Sequence, residues 1–155
     1  MNSATMLKTI YIRNHRIIQR NLEGISAEES LQKAGEGNNV NWIIGHIVAS
    51  RNGVLHSLGQ SPIWEKDVAK PYARGAESPQ ADHAPVDLTD IVAAFNQSQE
   101  TILAALDGIG EEALLAEGPN NMSVGGWLEF LAWHEGYHAG QLGLCRRLLG
   151  KKGAI

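Results

Sequence analysis

WHEGYHAGQLGLCRRLLG, residues 133–150, carries two histidines four positions apart in a strongly helical, otherwise largely apolar stretch. At about 100° per residue, a helix displaces His138 by only about 40° from His134 and sets it one turn further along, so both imidazoles can reach one ion. Ser123 is a good N-cap for this helix and Gly150 a natural end. Trp127, Leu131, Leu142, Cys145 and Leu149 lie within about 80° of His134 around it, which places the pair in the apolar stripe and predicts that both rings face a core. Buried imidazoles without partners cost about a few kcal/mol each, so a metal or hydrogen bonds must satisfy them. Residues 134–138 also match H-E-x-x-H, a zinc-protease signature whose third ligand follows downstream. Residues 139–155 contain no His, Asp or Glu, and the extended pattern would need Gly at Gln141 and His at Leu144. A protease is therefore not expected, and a third ligand has to come from upstream.

Upstream, apolar residues at Leu7, Ile10, Tyr11, Ile17, Ile18 and Leu22 repeat as on an amphipathic helix over 5–23, stopped by Gly24. Ser26 with Glu28 and Glu29 starts a short turn or helical segment. A second long helix begins near Asn38 and Asn39 and continues until Gly59 and Pro62. His46 lies in its apolar stripe, with Trp42 and Ile43 on the preceding turn and the small residues Ser50, Gly53 and Ser57 on later ones. Such a surface admits a neighbouring helix closely or leaves a pocket beside the imidazole. His46 is thus the best placed third ligand. Asp87 caps a third helix, with Ile91, Phe95, Ser98, Ile102 and Leu106 on one face and Gly108 at its end.

Residues 60–86 hold four of the five prolines, Pro62, Pro71, Pro79 and Pro85, and show no apolar period, which predicts a long crossover loop. Ile63, Trp64 and Tyr72 are apolar enough to pin it over a cavity mouth. A second linker covers 108–122. No stretch alternates between apolar and polar residues, so no strand is expected. The expected fold is all-α: a four-helix bundle with a long crossover loop between helices 2 and 3, one domain over 1–155, with sites built from inward-facing side chains. His15, His56 and His83 read as surface or boundary residues, and Cys145 as a small core residue.

The chain of 155 residues can bury a core without disulfides or metal, so any metal would be functional. Lys+Arg number 13 against Asp+Glu 17, a net charge of −4, and the only basic clusters are Arg146–Arg147 and Lys151–Lys152. No nucleic-acid partner is expected. No apolar run suits a membrane span and the N-terminus lacks a secretory pattern, so no membrane partner and a cytoplasmic location are expected. The single cysteine excludes an internal disulfide and a thiolate zinc cluster.

NVNWIIGHIVASR, residues 39–51, resembles the N-x-x-W-h-h-G-H-h motif (h apolar) of the DinB/YfiT-like family of small bacterial four-helix bundles. HEGYHAGQLGLCRRLLG, residues 134–150, resembles that family's H-x-x-x-H-x-G-Q-h-x-x-h-R-x-x-h-G ending. The resemblance spans nearly the whole chain and implies His46, His134 and His138 as metal ligands and a homodimer. It also implies thiol transfer with low-molecular-weight thiols in some members and hydrolase roles in others.

Three neutral imidazoles leave the ion its full 2+ charge and at least one open position, the arrangement of a catalytic site. Nitrogen donors suit zinc, nickel, iron or copper; zinc is favoured by availability and nickel is the alternative. Glu135 follows the first ligand as the base does in zincins, and either takes a proton from metal-bound water or orients a ligand ring. Trp42 and Gln141 are the expected substrate contacts, with Gln141 also placed to hydrogen-bond a ligand. The expected function is that of a metal-dependent enzyme in which the site activates a thiol or water for a small-molecule substrate, transferase-like or hydrolase-like. The alternative is a metal-dependent ligand-binding or stress-response protein without catalysis.

Overall fold

Short polar side chains open each long helix. In the computed structural model, which describes residues 2–33 and 35–154, Asn2 accepts from the backbone N–H of Thr5, Asn39 from Trp42, Asp87 from Thr89 and Ser123 from Gly126. The helices they start are α1 (Ser3–Leu22), α3 (Val40–Ser57), α5 (Leu88–Gly108) and α7 (Val124–Leu148), with α2 (Ala27–Leu31), α4 (Lys66–Ala69) and α6 (Glu111–Leu115) between them. Ser26 and Glu29 form a reciprocal capping box, which explains why 27–31 closes into a helical turn. The only β pairing among the described residues is an isolated bridge between Glu117 and Ser123. No helix among them is long and apolar enough to cross a membrane.

Contacts between α1, α3, α5 and α7 make a ring in which α1 touches α5 and α7, and α3 touches the same two. Pairings along the helices give their directions. Tyr11, Asn14 and Asn21 donate to the carbonyls of Leu128, Ala132 and Ala139, so α1 and α7 run parallel. Asn41 reaches Val86 while Arg51 reaches Phe95 and Gln99, so α5 runs alongside α3 in the same sense. Lys8 pairs with Asp107 and Gln19 with Asn96, so α1 and α5 are antiparallel. Two sequential helices that run the same way need a connection as long as the bundle, which is why the expected crossover between them is so long.

That crossover contains α4 and 3-10 turns at Lys70–Tyr72 and Ala81–His83. Tyr72 anchors it. Its side chain is 1% exposed, and its hydroxyl donates to Asn41 Oδ1 and accepts from Val86 N, both at 3.1 Å. Gly45 makes room for it: a Cβ there would overlap the Tyr72 ring.

The core has two apolar halves. One includes Ile18, Ile43, Ile47, Ile91 and Leu142; the other includes Leu7, Val54, Ile102, Leu106 and Leu128. Between them every long helix contributes polar residues at one level: Asn14 and His15 on α1, Arg51 on α3, Ser98 and Gln99 on α5, Glu135 on α7. Arg51 is 1% exposed, and its five N–H donors are all used: Glu135 Oε1 and Oε2 at 2.8 and 2.9 Å, the Phe95 carbonyl at 2.8 Å, Ser98 Oγ at 2.9 Å and Gln99 Oε1 at 3.0 Å. Its guanidinium also lies 4.0 Å over the Phe95 ring.

Candidate metal centre

His46 on α3 and His134 and His138 on α7 come together at one level of the helix pair, with ligand atoms all within 4.8 Å of one another. His134 Nε2 lies 3.4 Å from His46 Nε2 and 3.0 Å from His138 Nε2. Nitrogens held at about 2.0–2.1 Å by one tetrahedral ion are about 3.3–3.4 Å apart, and the octahedral spacing is about 3.0 Å, so the observed separations suit a single transition-metal ion.

The far side of two rings fixes which nitrogen is free. His46 Nδ1 sits 2.7 Å from the Tyr72 carbonyl, which can only accept, so Nδ1 carries the hydrogen and Nε2 a lone pair. His138 Nδ1 stands in the same relation to Gln141 Oε1, also at 2.7 Å. Two bare Nε2 lone pairs therefore point at a third nitrogen, which can offer a hydrogen to only one of them. A cation at the centre satisfies all three, and the donor set fits the group on this ground.

Charge at the site is arranged accordingly. Burial pushes the His138 pKa down to about 4, against a smaller upward push from Gln141. Burial also lowers His46, opposed by its bond to Tyr72, and lowers His134, with help from the positive charges of His46 and Arg74. Each of these shifts favours the neutral imidazole, the form a metal requires. Trp42 walls one side: its ring stacks on His46 at 4.7 Å and 6° and meets His138 edge-on at 6.4 Å. Its buried Nε1–H has no partner among the described residues.

His138 is buried, but His134 is only half-buried, and the buried stripe of α7 runs through Leu128, Leu131, Glu135, His138 and Leu142. The stripe, expected to have both histidines in its middle, is rotated so that His134 sits at its edge and Glu135 lies in it, a position a carboxylate tolerates because Arg51 neutralises it there. Glu135 thus gives both oxygens to Arg51. Gln141 bonds the ligand ring and also donates to the Tyr137 hydroxyl at 3.1 Å. Cys145 lies in the core, its thiol 3.6 Å from the Asn38 carbonyl. His56 and His83 are exposed; His15 is half-buried and stacks on Phe95 at 4.4 Å.

Arg51 and Tyr72 are the residues that sequence reasoning did not assign to the site's support. Arg51 is the only charged residue of α3, as Glu135 is of residues 131–145. Two solitary opposite charges inside apolar helices are a pairing signal, since such charges are almost never buried alone. The carbonyl role of Tyr72 leaves no trace in residue type.

The chain is similar to known proteins in sequence and in fold. The family model described as the DinB superfamily matches residues 11–142. No curated protein matches the chain. The crystal structure of a conserved protein from Enterococcus faecalis has a TM-score of 0.75 at 16% identity, covering 97% of this chain and 99% of that one, a likeness of fold.

Proposed function

The chain belongs to the DinB superfamily, and from that premise we propose that His46, His134 and His138 hold one divalent transition-metal ion, zinc first and nickel as the alternative, in an enzyme acting on a small molecule. The observation that carries this reading is the pair of lone pairs on His46 and His138 converging on His134 Nε2 while their Nδ1 atoms are locked by Tyr72 and Gln141. Such an ion, with a position left open, lowers the pKa of bound water or of a thiol towards neutrality, which supports a thiol-transferase-like or hydrolase-like reaction.

The protein's own groups divide the remaining work. Trp42 closes the site against solvent on the His46 side and offers an unpartnered N–H. Gln141 holds His138 in its ligand tautomer. Glu135, to act as a base, would have to leave Arg51; we assign it instead to fixing the turn of α7 that carries His134. We also propose a homodimer, following the resemblance in sequence; a monomer by sedimentation at micromolar concentration would overturn that.

Metal analysis of protein purified without a histidine tag is the test. One equivalent of a transition metal is expected, lost in His46→Ala and in His134→Ala; no metal, or content unchanged in those variants, refutes the ligand assignment. Turnover of thiols or esters by the loaded protein separates the enzyme from the second reading, a metal-dependent binding protein, which is favoured if ligands bind and none is converted.

A further inference from the structure

His46 also borders a cavity outside the histidine cluster. A cavity of about 630 Å3 opens between α3 and the stretch 62–74, and His46 forms part of its wall together with Ala49, Ser50, Trp64 and Tyr72. Such a volume suits a small organic ligand. Trp64 and Tyr72 are held rigidly: their rings are 5.3 Å apart, and the Trp64 carbonyl accepts from Asn52 Nδ2 at 2.8 Å. Ala49, Pro62, Trp64 and Tyr72 make much of the wall apolar, and one of the three candidate ligands, His46, borders it.

The rim has a different character. Lys66, Lys70 and Arg74 all line this cavity, spaced four residues apart on α4, on the 3-10 turn that follows it and just beyond that turn. Among the described residues none of the three forms an ion pair, and Glu65 is the one acidic side chain in the lining, so the rim carries a net +2. The chain as a whole has a net charge of −4. Three uncommitted cations gathered at one apolar cavity of an acidic protein raise the local concentration of anions where the surrounding surface would repel them.

We infer that this cavity binds a small molecule with an apolar body and a terminal anion, a carboxylate or a phosphate, held by Lys66, Lys70 and Arg74, with its other end directed at the histidine site. The inference rests on the proposed metal centre only for what stands at that inner end. On this reading the crossover, which has no apolar period of its own, serves to present charge to a ligand held between it and α3.

The test compares hexanoate, hexyl phosphate and hexanol, which share a chain and differ in charge, by calorimetric titration of the full-length protein. Solvent-exposed charge contacts are individually weak, so the three together should favour an anionic probe by about tenfold. The preference should shrink in high salt and disappear in the triple variant Lys66→Gln/Lys70→Gln/Arg74→Gln, with metal content and Tm unchanged. Hexanoate or hexyl phosphate binding the tighter tells which anion the rim fits; either supports the proposal. Equal binding of all three probes, no binding, or a preference that survives in the triple variant overturns it. The same titrations on His134→Ala keep the two proposals apart. A preference lost there but untouched by the triple variant places the anion on the ion, which overturns this inference and leaves the metal centre standing. A preference that persists in wild-type protein shown to hold no metal supports the cavity and refutes the centre.

Discussion

Replacing Arg51 with methionine removes the one cation of the polar layer that divides the core. Arg51 is 1% exposed and Glu135 4%, so the carboxylate left behind can neither reach water nor find another counter-charge. The Phe95 carbonyl and Gln99 Oε1 lose a donor at the same time. Removing one partner of a buried pair costs about 3–5 kcal/mol, a large part of the roughly 5–15 kcal/mol that holds a domain of this kind folded. Replacing both charges is a different matter. The double variant Arg51→Met/Glu135→Leu buries no orphan ion, so it should be less damaged than the sum of its parts, with a coupling of at least about 2 kcal/mol. Urea denaturation of the wild type, both single variants and the double variant at pH 7 measures the cycle. A loss below about 1 kcal/mol in Arg51→Met, or effects that add to within about 0.5 kcal/mol, would show that the layer is solvated or rearranges, and the reasoning would fail.

Three more outcomes are expected. Gly45→Ala forces a methyl into the Tyr72 ring and should cost about 1–3 kcal/mol while weakening metal binding, because the Tyr72 carbonyl orients His46; Gly53→Ala, whose Cβ would sit an ordinary 3.6 Å from Leu131, is the control and should be neutral or slightly stabilising by denaturation. Gln141→Leu frees the His138 ring and should lower metal affinity by about 10–100-fold with Tm little changed, read by competition with a chelating dye. Burial, aided by the charge of Arg51, holds the pKa of His15 down at about 4 from 6.5, so between those values the unfolded chain binds the extra proton and stability rises with pH. His15 therefore contributes a loss of stability as pH falls from about 6.5 to 4, about 1–2 kcal/mol after allowance for its partial exposure; His15→Leu should flatten the wild-type curve in that window, and parallel curves would contradict the assignment.

Four long helices and three of their caps, Asn39, Asp87 and Ser123, were legible because an apolar period sustained over many residues and a short polar side chain before it are both local signals. The helical turns inside the two linkers were not, since helices of four and five residues are too short to display a period. The histidines on α7 were readable from spacing alone. His46 was readable because the tail after His138 offers no donor. What the chain could not disclose is rotation: whether His134 or Glu135 sits at the centre of the buried stripe depends on Arg51, which lies 84 residues upstream of Glu135 and meets it only across the folded bundle. The rim cations Lys66, Lys70 and Arg74 were hidden in the same way, because only the course of the crossover brings them to one cavity.

The attachment of Tyr72 has a kinetic consequence. Two of the three imidazoles share one turn of a single helix and keep their mutual distance whatever the crossover does, whereas the third is oriented through a carbonyl on that crossover. The three candidate ligands accordingly fall into a pair fixed by α7 and a third whose ring orientation depends on the crossover. Were the proposed ion bound, loosening of the 62–74 segment would free the orientation of His46 before that of His134 or His138, so the crossover would govern how long the three imidazoles stay together.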